Sequence, residues 1–280
     1  MIVRMRMAVL AGMMAASTPV LADQAVEVGG GLALLNKPAV ARASAVLIPG
    51  GDGVLGVRPD GSFSGLSGNQ LVRTRKAYLA HGVATLTIDQ GVSVTAAVVY
   101  MRKVASPVVV VGTSRGTLRI ASALGAKPNG IVLTAGFLSE VQSQIGSPST
   151  LPRTLIVHHK LDGCRFTPPS GVAPFKAWGG AKVTVAWMEG GRDSGNPCQA
   201  RGYHGFAGLD GRVVATVARF AFPAGRITHA PLHPPRDAGR MREPPAPGAL
   251  WFCKGRSPLF RAILPSTGHR PRLSMKFLEC

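Results

Sequence analysis

Val108-Val109-Val110-Val111-Gly112-Thr113-Ser114-Arg115-Gly116 is the stretch on which the fold turns. Four consecutive valines are β-branched and apolar, the composition of a strand covered on both faces. Residues 117–124 follow with the composition of a helix. Between strand and helix, Gly112-x-Ser114-x-Gly116 has the spacing of a sharp turn that lifts a serine hydroxyl clear of a sheet. Such a turn closes only where neighbouring side chains are absent, hence a glycine on each flank. The helix starts beneath the serine, so its amide dipoles face the hydroxyl oxygen. A glycine-rich turn with a bystander serine is the competing reading, and the strand–turn–helix setting argues against it.

Outward from this stretch, β-rich runs alternate with helical ones. Residues 45–48, 83–88, 131–133, 154–157 and 183–187 read as further strands. Residues 69–80, 94–104 and 212–220 read as helices, the first ending at His81-Gly82. This alternation predicts an α/β fold, with a mostly parallel central sheet flanked by helices. Right-handed crossovers then place the strand ends, and any site, along one edge. Residues 50–68 are glycine-rich and read as a long loop on the rim of that edge.

The 280 residues suffice for one domain with a substantial core, and 46% hydrophobic with 16% charged residues is a globular composition. The ends differ from the middle. Residues 1–22 read as an export signal: Arg4 and Arg6 precede an apolar run at 7–16, and Val20-Leu21-Ala22 offers small residues for cleavage after Ala22. The run is shorter than the roughly 20 residues a membrane span needs, so the mature protein is expected in the periplasm or secreted, without a transmembrane anchor. Residues 23–222 form the expected catalytic domain. Residues 223–280 hold ten of the 22 prolines, and ten basic residues there meet three acidic ones. Pro234-Pro235 and Pro244-Pro245-Ala246-Pro247 continue neither helix nor central strand, and a disordered or loosely attached tail is the expectation. A misread end of the gene would look the same.

A formal charge of +19 favours weak electrostatic contact with anionic surfaces. No interleaving of basic and aromatic residues points to a specific nucleic-acid ligand. Export permits disulfides. Cys164, Cys198, Cys253 and Cys280 allow three complete pairings. No Cys-x-x-Cys or histidine-rich spacing suggests a metal site.

A serine hydroxyl is a weak nucleophile. It needs a base, and the base needs an orienting acid. In chain order, acid and histidine are expected beyond Ser114. Asp162 follows the strand that ends near Val157-His158-His159, and His204 lies in the glycine-flanked loop Gly202-Tyr203-His204-Gly205 before the last helix. Asp193 is the rival acid, less well placed because it shares a loop with the histidine. His158 and His159 read as strand-end or rim residues and His81 as a helix end. His229, His233 and His269 belong to the tail. Donors for an oxyanion are expected from Pro49-Gly50-Gly51-Asp52-Gly53, with the Gly51 N–H first and Asp52 its neighbour, and from Arg115, the residue after the serine. With Asp162 and His204 in these roles, a Cys164–Cys198 disulfide would join the two loops that carry them.

At this point the chain resembles the α/β-hydrolase superfamily, and among its members small exported bacterial proteins of the dienelactone-hydrolase-like kind. The resemblance spans residues 45–220. It rests on Ile48-Pro49-Gly50-Gly51, the Gly112–Gly116 turn, His158-His159-Lys160-Leu161-Asp162-Gly163-Cys164 and Gly202-Tyr203-His204-Gly205. It implies a Ser–His–Asp triad, a covalent acyl-enzyme, small-molecule ester substrates and no cofactor. Dienelactone hydrolases proper use cysteine where this chain has Ser114, so their substrate is not implied. The short segment between Ile88 and Val94 leaves little room for a lid, which argues against a large lipid substrate. An amidase or peptidase would use the same residues. A non-catalytic binding protein of this fold, or an anionic-polymer binder acting through charge, is the alternative from outside enzymology.

Overall fold

The computed structural model describes residues 23–193 and 195–222. The expected signal segment, the proline-rich tail, Cys253, Cys280 and the three tail histidines lie outside the described residues. The strands are β1 (Gln24–Val28), β2 (Gly31–Asn36), β3 (Ala43–Ile48), β4 (Val83–Ile88), β5 (Val108–Thr113), β6 (Gly130–Thr134), β7 (Thr154–His159) and β8 (Val183–Met188). They form one sheet in the order β1-β2-β4-β3-β5-β6-β7-β8. The β1–β2 and β2–β4 pairings are antiparallel and the rest parallel.

Burial follows position in that order. Every residue of β3 through β7 is buried, whereas β1 and β8 at the two edges carry exposed residues. That is why the inner strands read as continuous apolar runs. Side chains alternate along each strand, so the valines of β5 divide between two cores. Val108 and Val110 pack with Val98 and Met101 of α2 (Val94–Val104), Ile120, Val141 of α3 (Leu138–Ile145) and Phe175 of α4 (Val172–Gly179). Val109 and Val111 pack on the other face with Leu71 of α1 (Gln70–Thr74), Tyr78, and Val213, Val214 and Val217 of α5 (Asp210–Ala221).

The expected helix at 69–80 is broken in two. Asn69 caps α1 by accepting the Leu71 N–H at 3.1 Å, and α1 ends at Thr74. The Thr85 hydroxyl donates to the Arg75 carbonyl at 3.0 Å. The chain then restarts as a 3₁₀ turn at Ala77–His81. The helix read at 117–124 runs from Ser114 to Ala126, with 3₁₀ winding. The β1–β2 hairpin, not among the expected strands, turns at Gly29-Gly30 between short runs. Helices α3 and α4 are likewise beyond the expected set: α3 mixes Ser139, Gln142 and Ser143 into its turns, and α4 has Pro174 in its first turn, where proline is tolerated.

The glycine-rich segment at 50–68 is a loop, as expected, but an ordered one. The Asp89 carboxylate, just past β4, accepts the N–H groups of Leu55 at 2.8 Å, Gly56 at 2.9 Å and Val57 at 3.2 Å.

Candidate active site

Parallel register brings the carboxyl ends of the central strands together. Ile48 of β3 stands opposite Gly112 of β5, and Thr113 opposite Thr134 of β6. The loops leaving β3, β5, β7 and β8 carry Gly51, Ser114, Asp162 and His204 to this one edge.

Ser114 has φ +51°, in the left-handed region that costs a residue with a Cβ of order 1 kcal/mol or more. The glycines around it explain how the turn holds. A Cβ on Gly116 would lie 2.3 Å from the Ile48 carbonyl oxygen and 2.5 Å from that of Pro49. One on Gly112 would lie 2.9 Å from Thr117 Cα, and one on Gly50 2.8 Å from the Thr113 oxygen. The elbow and the loop after β3 are therefore in backbone contact. The buried Thr117 hydroxyl donates to the Ser114 carbonyl at 2.6 Å and accepts the Phe137 N–H at 3.1 Å, which ties the turn to the end of β6.

His204 Nε2 lies 2.9 Å from Ser114 Oγ, and its Nδ1 lies 3.0 Å from Asp162 Oδ2. A carboxylate only accepts, so the imidazole proton sits on Nδ1 and Nε2 is left to accept from the serine. Asp162 and His204 are both buried. The remaining acceptor sites of Asp162 are used: Oδ1 takes the Cys164 N–H at 2.9 Å and Oδ2 the Thr167 hydroxyl at 3.2 Å. Thr167 Oγ also stands 3.2 Å from His204 Nδ1, bracing the contact between acid and base.

Ser114, His204 and Gly51 open on one cavity of about 280 Å³, walled also by Leu66, Asn69 and Gln199. The Arg115 N–H falls in the first turn of the helix, where no helical carbonyl can take it. Asp52 lies in a neighbouring hollow that Gly51 and Arg115 also line, and its carboxylate accepts the Val54 N–H at 3.0 Å. Asp193 accepts the Gly195 N–H at 3.4 Å in its own loop, while His204 turns to Asp162. Cys164 and Cys198 are disulfide-bonded, joining the loop after Asp162 to the loop before His204.

His159 is fully engaged: Nε2 bonds the Gly190 carbonyl at 2.9 Å, Nδ1 accepts the Leu161 N–H at 3.0 Å, and the ring stacks on Tyr203. His158 is buried beside the acid. Its Nε2 donates to the Thr167 carbonyl at 3.0 Å and lies 3.5 Å from Asp162 Oδ2, and its Nδ1 has no partner. Burial pushes its pKa below the ordinary histidine value, against the opposing pull of the Asp162 charge. Two supporting residues, Thr117 and Thr167, leave no signal in the sequence, because hydroxyls at such places match no motif. Among the described residues no group of three His, Cys, Asp or Glu side chains could hold a metal ion, and no helix is long and apolar enough to cross a membrane.

No family model matches the sequence, and no curated protein matches it. Solved structures do match in three dimensions. A Thermus thermophilus protein superposes with TM-score 0.52 at 13% identity, over 72% of this chain and 99% of that one. A puromycin-hydrolyzing peptidase of Mycobacterium tuberculosis gives TM-score 0.51 at 14% identity, over 75% of this chain and 42% of that one. The esterase domain of a Rhodothermus marinus protein gives 0.50 at 12% identity, over 70% of this chain and 98% of that domain. The chain has the α/β-hydrolase fold. Within the α/β-hydrolase fold, a serine at a strained strand-to-helix turn followed in sequence by an acid and a histidine is the arrangement in which nucleophile, base and orienter meet. At these identities the likeness speaks for the fold.

Proposed function

We propose that this protein is a serine hydrolase that cleaves a small ester through a covalent acyl-enzyme. The observation that carries the reading is the continuous hydrogen-bonded path from Ser114 Oγ through His204 to Asp162, ending in a cavity. His204 Nε2 takes the Ser114 proton as Oγ attacks the ester carbonyl. Asp162 holds the imidazole in the tautomer that can accept, and stabilises the imidazolium that forms. The Gly51 and Arg115 N–H groups serve the oxyanion. His204 then protonates the departing alcohol, and a water activated by the same imidazole releases the acid.

A cavity of about 280 Å³ suits a small substrate. Only residues 89–93 separate β4 from α2, so no lid domain is inserted there. The Cys164–Cys198 bond together with the amino-terminal segment supports a site of action outside the cytoplasm, with the mature chain starting at Asp23.

The test is labelling of the mature protein with a fluorophosphonate probe, beside Ser114→Ala and His204→Ala, with turnover of short p-nitrophenyl esters and matched p-nitroanilides. Labelling at Ser114 and ester turnover are expected, and loss of either residue should remove about a millionfold in turnover. Preference for the anilides would move the substrate to amides. Folded protein that neither labels nor turns over would make it a binding protein of this fold.

A further inference from the structure

Arg73, in α1, makes no hydrogen bond to Ser114, His204 or Asp162, yet its guanidinium holds the walls around them. All five of its N–H donors have acceptors. Nε and Nη2 grip the Asp210 carboxylate at 2.9 and 2.7 Å. Nη1 donates to the Gly68 carbonyl at 2.7 Å and the Ala200 carbonyl at 3.1 Å, and the second Nη2 proton goes to the Gly205 carbonyl at 2.6 Å. Gly68, Ala200 and Gly205 all line the cavity that holds Ser114.

Ala200 and Gly205 bracket His204. The loop between them lies outside the sheet and is held by its own short turns, Gly202 N–H to Gln199 and Gly205 N–H to Gly202, and by the stacking of Tyr203 on His159. It is pinched so tightly that a Cβ on Gly205 would fall 1.9 Å from the Ala200 oxygen. Tyr203 and the buried Phe206 hold one side of this loop, and the carbonyls of Ala200 and Gly205 hold the other through Arg73. The disulfide anchors it upstream at Cys198, and α5 anchors it downstream at Asp210, which is the residue Arg73 clamps. We propose that Arg73 is the positioning residue for the base: by gathering the Ala200, Gly205 and Gly68 carbonyls onto one planar fork, it holds His204 Nε2 at Ser114 Oγ. The inference rests on the hydrolase reading above. The fork is essential to it, since lysine offers a charge for Asp210 but three donors from one point, and cannot span three carbonyls and a carboxylate.

Arg73 also lines a second hollow of about 430 Å³ beside the cavity, which opens a route for a small cation to replace its head group. The experiment therefore uses Arg73→Ala and Arg73→Lys, measured with a short p-nitrophenyl ester at a temperature where each is folded. For Arg73→Ala, kcat is expected to fall about a hundredfold with KM changed less than about threefold, the signature of a misplaced catalytic group. Fluorophosphonate labelling of Ser114 should slow in parallel. Methylguanidinium should restore kcat of Arg73→Ala about tenfold or more, and leave wild type and Ser114→Ala unchanged; a purely structural role would give no such rescue. Arg73→Lys, which keeps the charge for Asp210, should melt close to wild type and still lose kcat about tenfold; this variant decides the matter if Arg73→Ala does not fold. Wild-type kcat in either folded variant, or a deficit in Arg73→Ala that methylguanidinium does not relieve, would overturn the positioning role while the hydrolase stands. Wild-type protein that neither labels nor turns over would overturn both.

Discussion

Two glycines of the elbow helix allow one substitution to be read with opposite signs. In Gly116→Ala the new methyl carbon would sit 2.3 Å from the Ile48 oxygen and 2.5 Å from the Pro49 oxygen. Both are backbone atoms at the end of β3, so no side-chain rotation relieves the clash. Elbow and loop must part by about an ångström to restore ordinary contact. Overpacking of this kind costs about 1–3 kcal/mol, and contact with two backbone oxygens puts it at the upper end. Alanine in a helix returns about 1 kcal/mol relative to glycine, which leaves a net loss of about 2 kcal/mol. Gly125 lies in the same helix, and a Cβ there meets nothing within 4 Å. Gly125→Ala should therefore gain up to about 1 kcal/mol. For a domain of this size 1 kcal/mol is about 2–4 °C in Tm. Gly116→Ala should melt about 4–8 °C below wild type and Gly125→Ala up to about 4 °C above it, followed by circular dichroism in thermal scans. Parting the elbow from the Gly50-Gly51 loop also separates the two N–H groups assigned to the oxyanion, so kcat of Gly116→Ala should drop about a hundredfold. Equal Tm shifts for the two variants, or full activity in Gly116→Ala, would refute the account of the glycine at this position.

Two further expectations concern the surroundings of Asp162. Burial holds His158 neutral, with its pKa below the ordinary value. The unfolded chain therefore takes up a proton near pH 6.5 that the native state refuses. This contribution to stability is complete above that pH and is lost as pH falls through it. His158→Gln, which can still donate to the Thr167 carbonyl, should flatten the decline in urea midpoint between about pH 8 and pH 5, and an unchanged slope would count against it. The Cys164–Cys198 bond closes a separation of 34 residues, for which the loop-entropy estimate is about 4 kcal/mol. The Cys164→Ala/Cys198→Ala double variant should lose stability on that order in urea titrations and lose turnover as the loops of Asp162 and His204 come apart. Stability equal to wild type would show that other contacts order these loops.

What was readable in advance follows physical range. The inner strands declared themselves because residues buried on both faces must be apolar throughout, as in β5 and β7. The edge strands did not, since β1 mixes Gln24 and Glu27 into a half-exposed run. The break after α1 leaves no local trace near residue 75, where the partner of the carbonyl, Thr85, belongs to another element. Ser114 was legible because strain leaves a local trace, a glycine wherever a Cβ would strike backbone. Asp162 and His204 could be named as candidates by their order and their strand-end positions, but Asp193 could not be set aside without knowing which carboxylate the imidazole faces.

Order along the chain is enough for the class of the fold, the sharp turn at Ser114 and a short roster of acids, histidines and cysteines. Each of these depends on composition or on spacing within a few residues, where backbone sterics and burial act directly. It takes the folded chain to show that Asp162 meets His204, that Thr167 braces their contact, that Asp89 orders the loop over the rim and that Arg73 reaches Asp210 across 137 residues of chain. These are hydrogen bonds whose worth rests on distances of about 3 Å and on direction. Such distances are set by how the sheet edge gathers its loops, and no periodicity along the chain encodes them.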